Sequence, residues 1–195
     1  MWFLLIAALA LFAAGCSRVV YPGDGRLVIV EIDPALDGCP VQLEDGSATT
    51  VGQIARAGIR YWDAAGARLR TADQLTAADQ AEAGAAPRLR ISGDSCQEAG
   101  ADVTYGTGGS VIAPAGVAEY MLLEGVIRLH LRRWAVQHLS RGGLVGIATT
   151  IAHETGHALG LNHVPEADAI MCATAAAARD DLALADFREF ARVWP

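Results

Sequence analysis

The chain has 195 residues, enough for one domain with a substantial hydrophobic core and too few for two comfortable ones. Hydrophobic residues make up 52% and charged residues 19%, a globular rather than a disordered composition. The formal charge of -7, with arginine as the sole basic side chain besides histidine, excludes the concentrated basic surface that nucleic-acid binding needs.

The N-terminal stretch "MWFLLIAALALFAAGC" is apolar but too short to span a bilayer comfortably, and it reads as the hydrophobic region of a signal peptide. Its ending, "AAGC", resembles the lipobox of bacterial lipoproteins. That resemblance implies cleavage before Cys16 and a lipid on the cysteine, with Ser17 behind it pointing to the outer membrane. Residues 1–15 are then the signal peptide, 16–25 a lipidated tether and 26–195 the folded domain. No Lys or Arg precedes Cys16, so a plain secretory signal or an uncleaved anchor stands as the alternative. Each of these readings exports the domain, to the bacterial cell envelope or beyond it.

Export makes disulfides permissible. Setting Cys16 aside leaves Cys39, Cys96 and Cys172, an odd number, so one bridge and one thiol is the simplest arrangement. Cys39–Cys96 is the preferred pair, because each follows a predicted strand by a few residues; three unbridged thiols are the other reading.

"RLVIVEI" (26–32) is a nearly continuous apolar run, expected as a strand buried on both faces. Thr50 opens a helix with Gln53 as its capping-box partner, Ile54, Ala57, Tyr61, Trp62 and Ala65 recur at helical spacing, and Gly66 stops it. Residues 71–87 read as a surface connection with one helical turn. "RLRIS" (88–92) is a second strand. The Gly-rich 105–116 predicts an irregular loop leading into a short edge strand around Ser110–Ala113, and "GVIRLHL" (125–131) is another strand. A long helix ending at Gly160 follows. A closing helix over 186–194 places Phe187, Phe190, Ala191 and Trp194 on one face. Strands interleaved with helices predict an α+β or α/β-like fold around a mixed twisted sheet.

"HETGHALGLNH" (153–163) concentrates three of the chain's five histidines. On a helix, His153 and His157 lie about 40° apart, one turn along the same face. Leu144, Ile147, Ala148, Ile151, Thr155, Ala158 and Leu159 cover the opposite side. Glu154 sits about 100° round from His153, where its carboxylate reaches a water at a metal without ligating the metal. Catalytic zinc takes three protein ligands and an open position, so a third is needed. Gly160 supplies the means: a glycine there adopts φ > 0, ends the helix and lets His163 swing back to within about 2.0–2.1 Å of the same ion. Single histidines are usually satisfied core or surface residues. Five fixed positions in the pattern H-E-x-x-H-x-x-G-x-x-H are rarely matched by chance.

That pattern resembles the motif of the metzincin zinc peptidases. "DAIMCA" (168–173) places Met171 after His163 as in the matrixins, where a methionine turn underlies the metal. The order of elements across the exported domain is similar too. The resemblance implies a metzincin-like catalytic domain with an antiparallel edge strand, an active-site helix, a Met-turn and a C-terminal helix. It further implies one catalytic zinc ion held by His153, His157 and His163, with Glu154 as general base and Gly160 and Met171 supporting the site. A peptide or protein substrate would bind along the edge strand. A monomer is expected.

Several residues depart from the matrixin pattern. Val164 stands where Ser or Thr is usual, Cys172 where Tyr is common, and an alanine-rich 173–181 replaces the stretch that helps wall the S1′ pocket. His130 and His138 read as half-exposed residues outside the cluster, so no second zinc is expected, and 101–124 carries too few acids for calcium. The first strand begins about ten residues after Cys16, so no cysteine-switch propeptide is expected. Two other classes stand beside the peptidase: a surface-tethered binding module with a structural metal, and a zinc hydrolase of non-peptide substrates.

Overall fold

A computed structural model of the chain describes residues 27–93, 116–121, 126–131, 141–173 and 179–195. Cys16, Cys96, His138 and the edge strand expected at Ser110–Ala113 lie outside the described residues. Among those described, no helix is long and apolar enough to cross a membrane.

The described residues form, in order, β1 (Leu27–Ile32), α1 (Pro34–Asp37), β2 (Pro40–Gln42), β3 (Ala48–Thr50), α2 (Val51–Arg60), β4 (Arg68–Thr71), α3 (Ala77–Glu82), β5 (Arg88–Gly93), β6 (Gly116–Met121), β7 (Val126–Leu131), α4 (Arg141–Ala158) and α5 (Leu184–Val193). Five strands form one mixed sheet in the order β4-β1-β5-β7-β6, parallel except for the antiparallel β6–β7 pair at its end. The architecture is mixed α+β.

Register explains where the core lies. Val28 pairs with Leu69, Val30 with Leu89 and Ile91 with Ile127, so alternate residues of four strands build one apolar face. That face packs beneath α2 and α4 in a single core. The opposite register positions carry Arg68, Arg70, Arg88, Arg90 and Glu31. β1 is buried on both faces from Leu27 to Val30, whereas Glu31 is exposed.

α2 starts as its sequence requires. The Thr50 hydroxyl accepts from the Gln53 amide, and the Gln53 side chain accepts from the Thr50 amide. Its buried face is Val51, Ile54, Ala55, Gly58 and Ile59, and Ala57 is exposed. The turn tightens to a 3₁₀ helix over Tyr61–Ala65 and ends at Gly66, with φ of 92°. A β-carbon on Gly58 would stand 2.8 Å from both the Ala148 carbonyl oxygen and Ile151 Cβ, which is how closely α2 and α4 approach.

Strand β4 and the hairpin β2–β3 escape a reading by periodicity. "RLRT" offers one large apolar residue, and each hairpin strand is three residues long. Cys39, just before β2, is buried in a disulfide, and Cys172 is a buried thiol. α5 corrects the expected apolar face. Phe190 and Trp194 are buried together with Ala185, Asp186 and Val193, while Phe187 and Ala191 are exposed.

Candidate metal centre

Two turns of α4 carry His153 and His157, and everything beneath them is packed. Ile147, Ala148, Ile151, Ala152, Thr155, Ala158 and Leu159 are buried. The Trp62 indole, fully buried, donates to the Ala152 carbonyl at 2.8 Å, and the Trp194 indole donates to the Leu159 carbonyl at 2.9 Å. These two bonds fasten the helix to the 3₁₀ turn on one side and to the end of α5 on the other.

Gly160 ends α4 with φ of 83°. The Gly160 amide donates to the His157 carbonyl and the Leu161 amide to the Gly156 carbonyl, both at 2.9 Å, which is the Schellman pattern of helix termination. Chain direction then reverses. Residues on both sides of His163 are pinned: the Asn162 amide donates to Glu189 Oε1 at 2.8 Å, and the Val164 amide donates to the Met171 carbonyl at 3.0 Å.

The outcome is a convergence of three imidazoles. His157 Nε2 stands 3.0 Å from His163 Nε2, which stands 3.2 Å from His153 Nε2, and all three ligand atoms lie within 4.8 Å of one another. Nitrogens bound at 2.0–2.1 Å around one tetrahedral ion would be roughly 3.3–3.4 Å apart, so the spacing fits a shared zinc. The tautomers fit as well. His153 Nδ1 contacts the Ile170 carbonyl at 2.6 Å and His157 Nδ1 contacts the Leu161 carbonyl at 3.1 Å. A carbonyl only accepts, so each Nδ1 carries the proton and each Nε2 turns a lone pair inward.

Partial desolvation favours the neutral form of these rings, His153 and His157 being half-buried and His163 more exposed. It lowers the pKa of His157 to about 4, assisted by neighbouring His153, and it lowers those of His153 and His163. Neutral imidazole is the form that binds a metal. Glu154 is half-buried on the same helix, next to His153 in sequence.

Met171 is fully buried below the cluster, against Gly156. Its turn is held by a residue that sequence reading missed. Asp186, 0% exposed, accepts from the amides of Ile170 and Met171 at 2.9 Å each. In sequence an aspartate in the first turn of a helix reads as an ordinary cap, and nothing nearby signals a bond to a turn behind it.

Residues 98–189 match the model of the Matrixin family of peptidases, a stretch that includes the three histidines, Glu154 and Met171. The chain is matrixin-like over that stretch. It amounts to just under half of the chain. Among solved structures, the one titled "GM1 bound form of the ECX AB5 holotoxin" is similar with a TM-score of 0.46 and 13% identity, covering 90% of this chain and 81% of that one. No curated protein matches.

Proposed function

We propose that the chain is a zinc-dependent endopeptidase whose folded domain spans residues 26–195. The observation that carries this reading is the convergence of three imidazoles, with His163 Nε2 at 3.0 Å from His157 Nε2 and 3.2 Å from His153 Nε2, beside one half-buried carboxylate. His153, His157 and His163 would hold the ion. When bound, zinc would polarise the scissile carbonyl and bring the pKa of a water from 15.7 towards about 7.

The chain's own residues do the rest. The Ile170 and Leu161 carbonyls keep the Nδ1 protons of His153 and His157 in place, so their Nε2 atoms stay aimed at one point. Glu154 takes a proton from the attacking water onto its carboxylate. It returns that proton to the amine nitrogen as the C–N bond breaks. Gly160 aims His163, and Met171 fills the space beneath the rings. β6 ends the strand order, with β7 as its strand neighbour among the described residues, and it packs against α4. An extended peptide adding to that edge would lie along the helix that carries the site.

Export completes the proposal: cleavage after residue 15, lipid on Cys16, and a tether of residues 16–25 holding the domain at the bacterial outer membrane. Digestion of an unbiased peptide library with the zinc-loaded chain, with and without a chelator, tests the activity. Chelator-sensitive cleavage is expected. Zinc binding without any cleavage would favour a binding module, and cleavage confined to non-peptide amides or esters would favour a different hydrolase.

A further inference from the structure

The Asp186 carboxylate is fully buried in the first turn of α5, and three amides satisfy it. Oδ2 accepts from Ile170 and Ala183, and Oδ1 from Met171, all at 2.9 Å. The Ala183 bond is helix capping from within the same turn. The other two reach back fifteen and sixteen residues, to the turn under the histidines.

The bond to Met171 is the informative one. Its N–H and the Ile170 carbonyl belong to one peptide unit, which is planar and rigid. One side of that plane is held by the Asp186 carboxylate. The other side accepts the Nδ1 proton of His153 at 2.6 Å. A charged acceptor on the N–H polarises the peptide, and a polarised peptide is a stronger acceptor at its oxygen.

We infer that Asp186 is a positioning residue for the metal centre, orienting His153 and raising its basicity through the Ile170–Met171 peptide. The inference rests on the metal-binding reading. It assigns to a buried carboxylate the outer-shell role that a direct histidine contact commonly fills, with one peptide interposed.

The test uses the full chain, freed of metal and titrated with zinc against a chromophoric chelator. Asp186→Asn keeps the shape, removes the charge and leaves one accepting oxygen where two accepted. Zinc affinity is expected to weaken about 10- to 100-fold. The Nδ1–H proton resonance of His153 is expected to move upfield, while that of His157, bonded to Leu161, stays in place. Ala183→Pro removes only the capping amide at a φ of -79° that proline adopts. It is expected to lower the melting temperature and leave zinc affinity unchanged. Equal affinity in Asp186→Asn and the parent, or equal weakening in Ala183→Pro, would overturn the inference.

Should Asp186→Asn fail to fold, hydrogen exchange on the metal-free parent decides. The Ile170 and Met171 amides are expected to be protected before zinc is added; free exchange until zinc arrives would overturn the proposal. A parent chain that takes up no zinc at all sinks the metal-binding reading instead, and the exchange data still report the Asp186 bonds separately.

Discussion

A β-carbon added to Gly156 would lie 2.3 Å from the sulfur of Met171. It would also stand 2.8 Å from Cζ2 of Trp62, whose indole is anchored to the Ala152 carbonyl and is unable to withdraw. Gly156 lies between His153 and His157 on α4, so the helix rests directly on the methionine. Alanine would gain up to about 1 kcal/mol of helix propensity. Overpacking a close-packed site costs about 1–3 kcal/mol, and here it wins because Met171 and Trp62 are fully buried. Gly156→Ala is therefore expected to lower the urea midpoint; an unchanged or higher midpoint would contradict the packing argument.

Glu154→Gln separates proton transfer from metal binding. The amide keeps the size of the carboxylate and loses its basicity. Hydrolysis should drop by about 10²- to 10⁴-fold, the usual contribution of a general base, while zinc stoichiometry and melting temperature stay near those of the parent. Comparable turnover in the two proteins would remove Glu154 from the mechanism.

Gly160 is under a backbone constraint, with φ of 83° at the end of α4. An L-residue in that region costs about 1–2 kcal/mol, asparagine being the most tolerant and β-branched residues the least. The series Gly160→Asn, Gly160→Ala and Gly160→Val should lower thermal stability in that order. Zinc affinity should follow, because this turn redirects the chain to His163. A flat series would show that the turn relaxes at no cost.

The histidines give the metal-free chain a defined acid response. All three are held below their ordinary value of 6.5 by burial, His157 at about 4. Between those values the unfolded chain binds more protons than the folded one, so stability falls as the solution is acidified. The contribution is complete above about pH 6.5 and is lost as pH falls towards about 4. Asp79 acts lower: the Thr76 amide and hydroxyl and the Arg68 guanidinium bring its pKa to about 2, so its contribution disappears only below its ordinary 3.8. Chelator-treated protein should show a denaturation midpoint that drops between pH 7 and pH 5. A midpoint independent of pH across that interval would refute the lowered pKa values of the rings.

What could be read without coordinates is local chemistry. β1, β5 and β7 declare themselves as apolar or alternating runs, the Thr50–Gln53 capping box closes within one turn, and the metal motif places two imidazoles on one helical face. Even the positive φ at Gly160 follows from a glycine three residues past a histidine that needs a partner. Each depends on residues within four positions of each other, where backbone geometry alone sets who meets whom.

Tertiary structure decided the rest. Strand β4 exists because β1 offers it a parallel edge, since "RLRT" alone has too little apolar content to announce a strand. β6 pairs antiparallel with β7 at Gly116–Met121, a register that depends on the whole sheet. The buried face of α5 includes Asp186, bonded to Ile170 and Met171, while Phe187 beside it in sequence is exposed. Contacts of this kind join segments whose separation along the chain carries no periodic signal. They form only once the core has brought the segments together, which is why the ligands were legible in the amino-acid order and the carboxylate behind them was not.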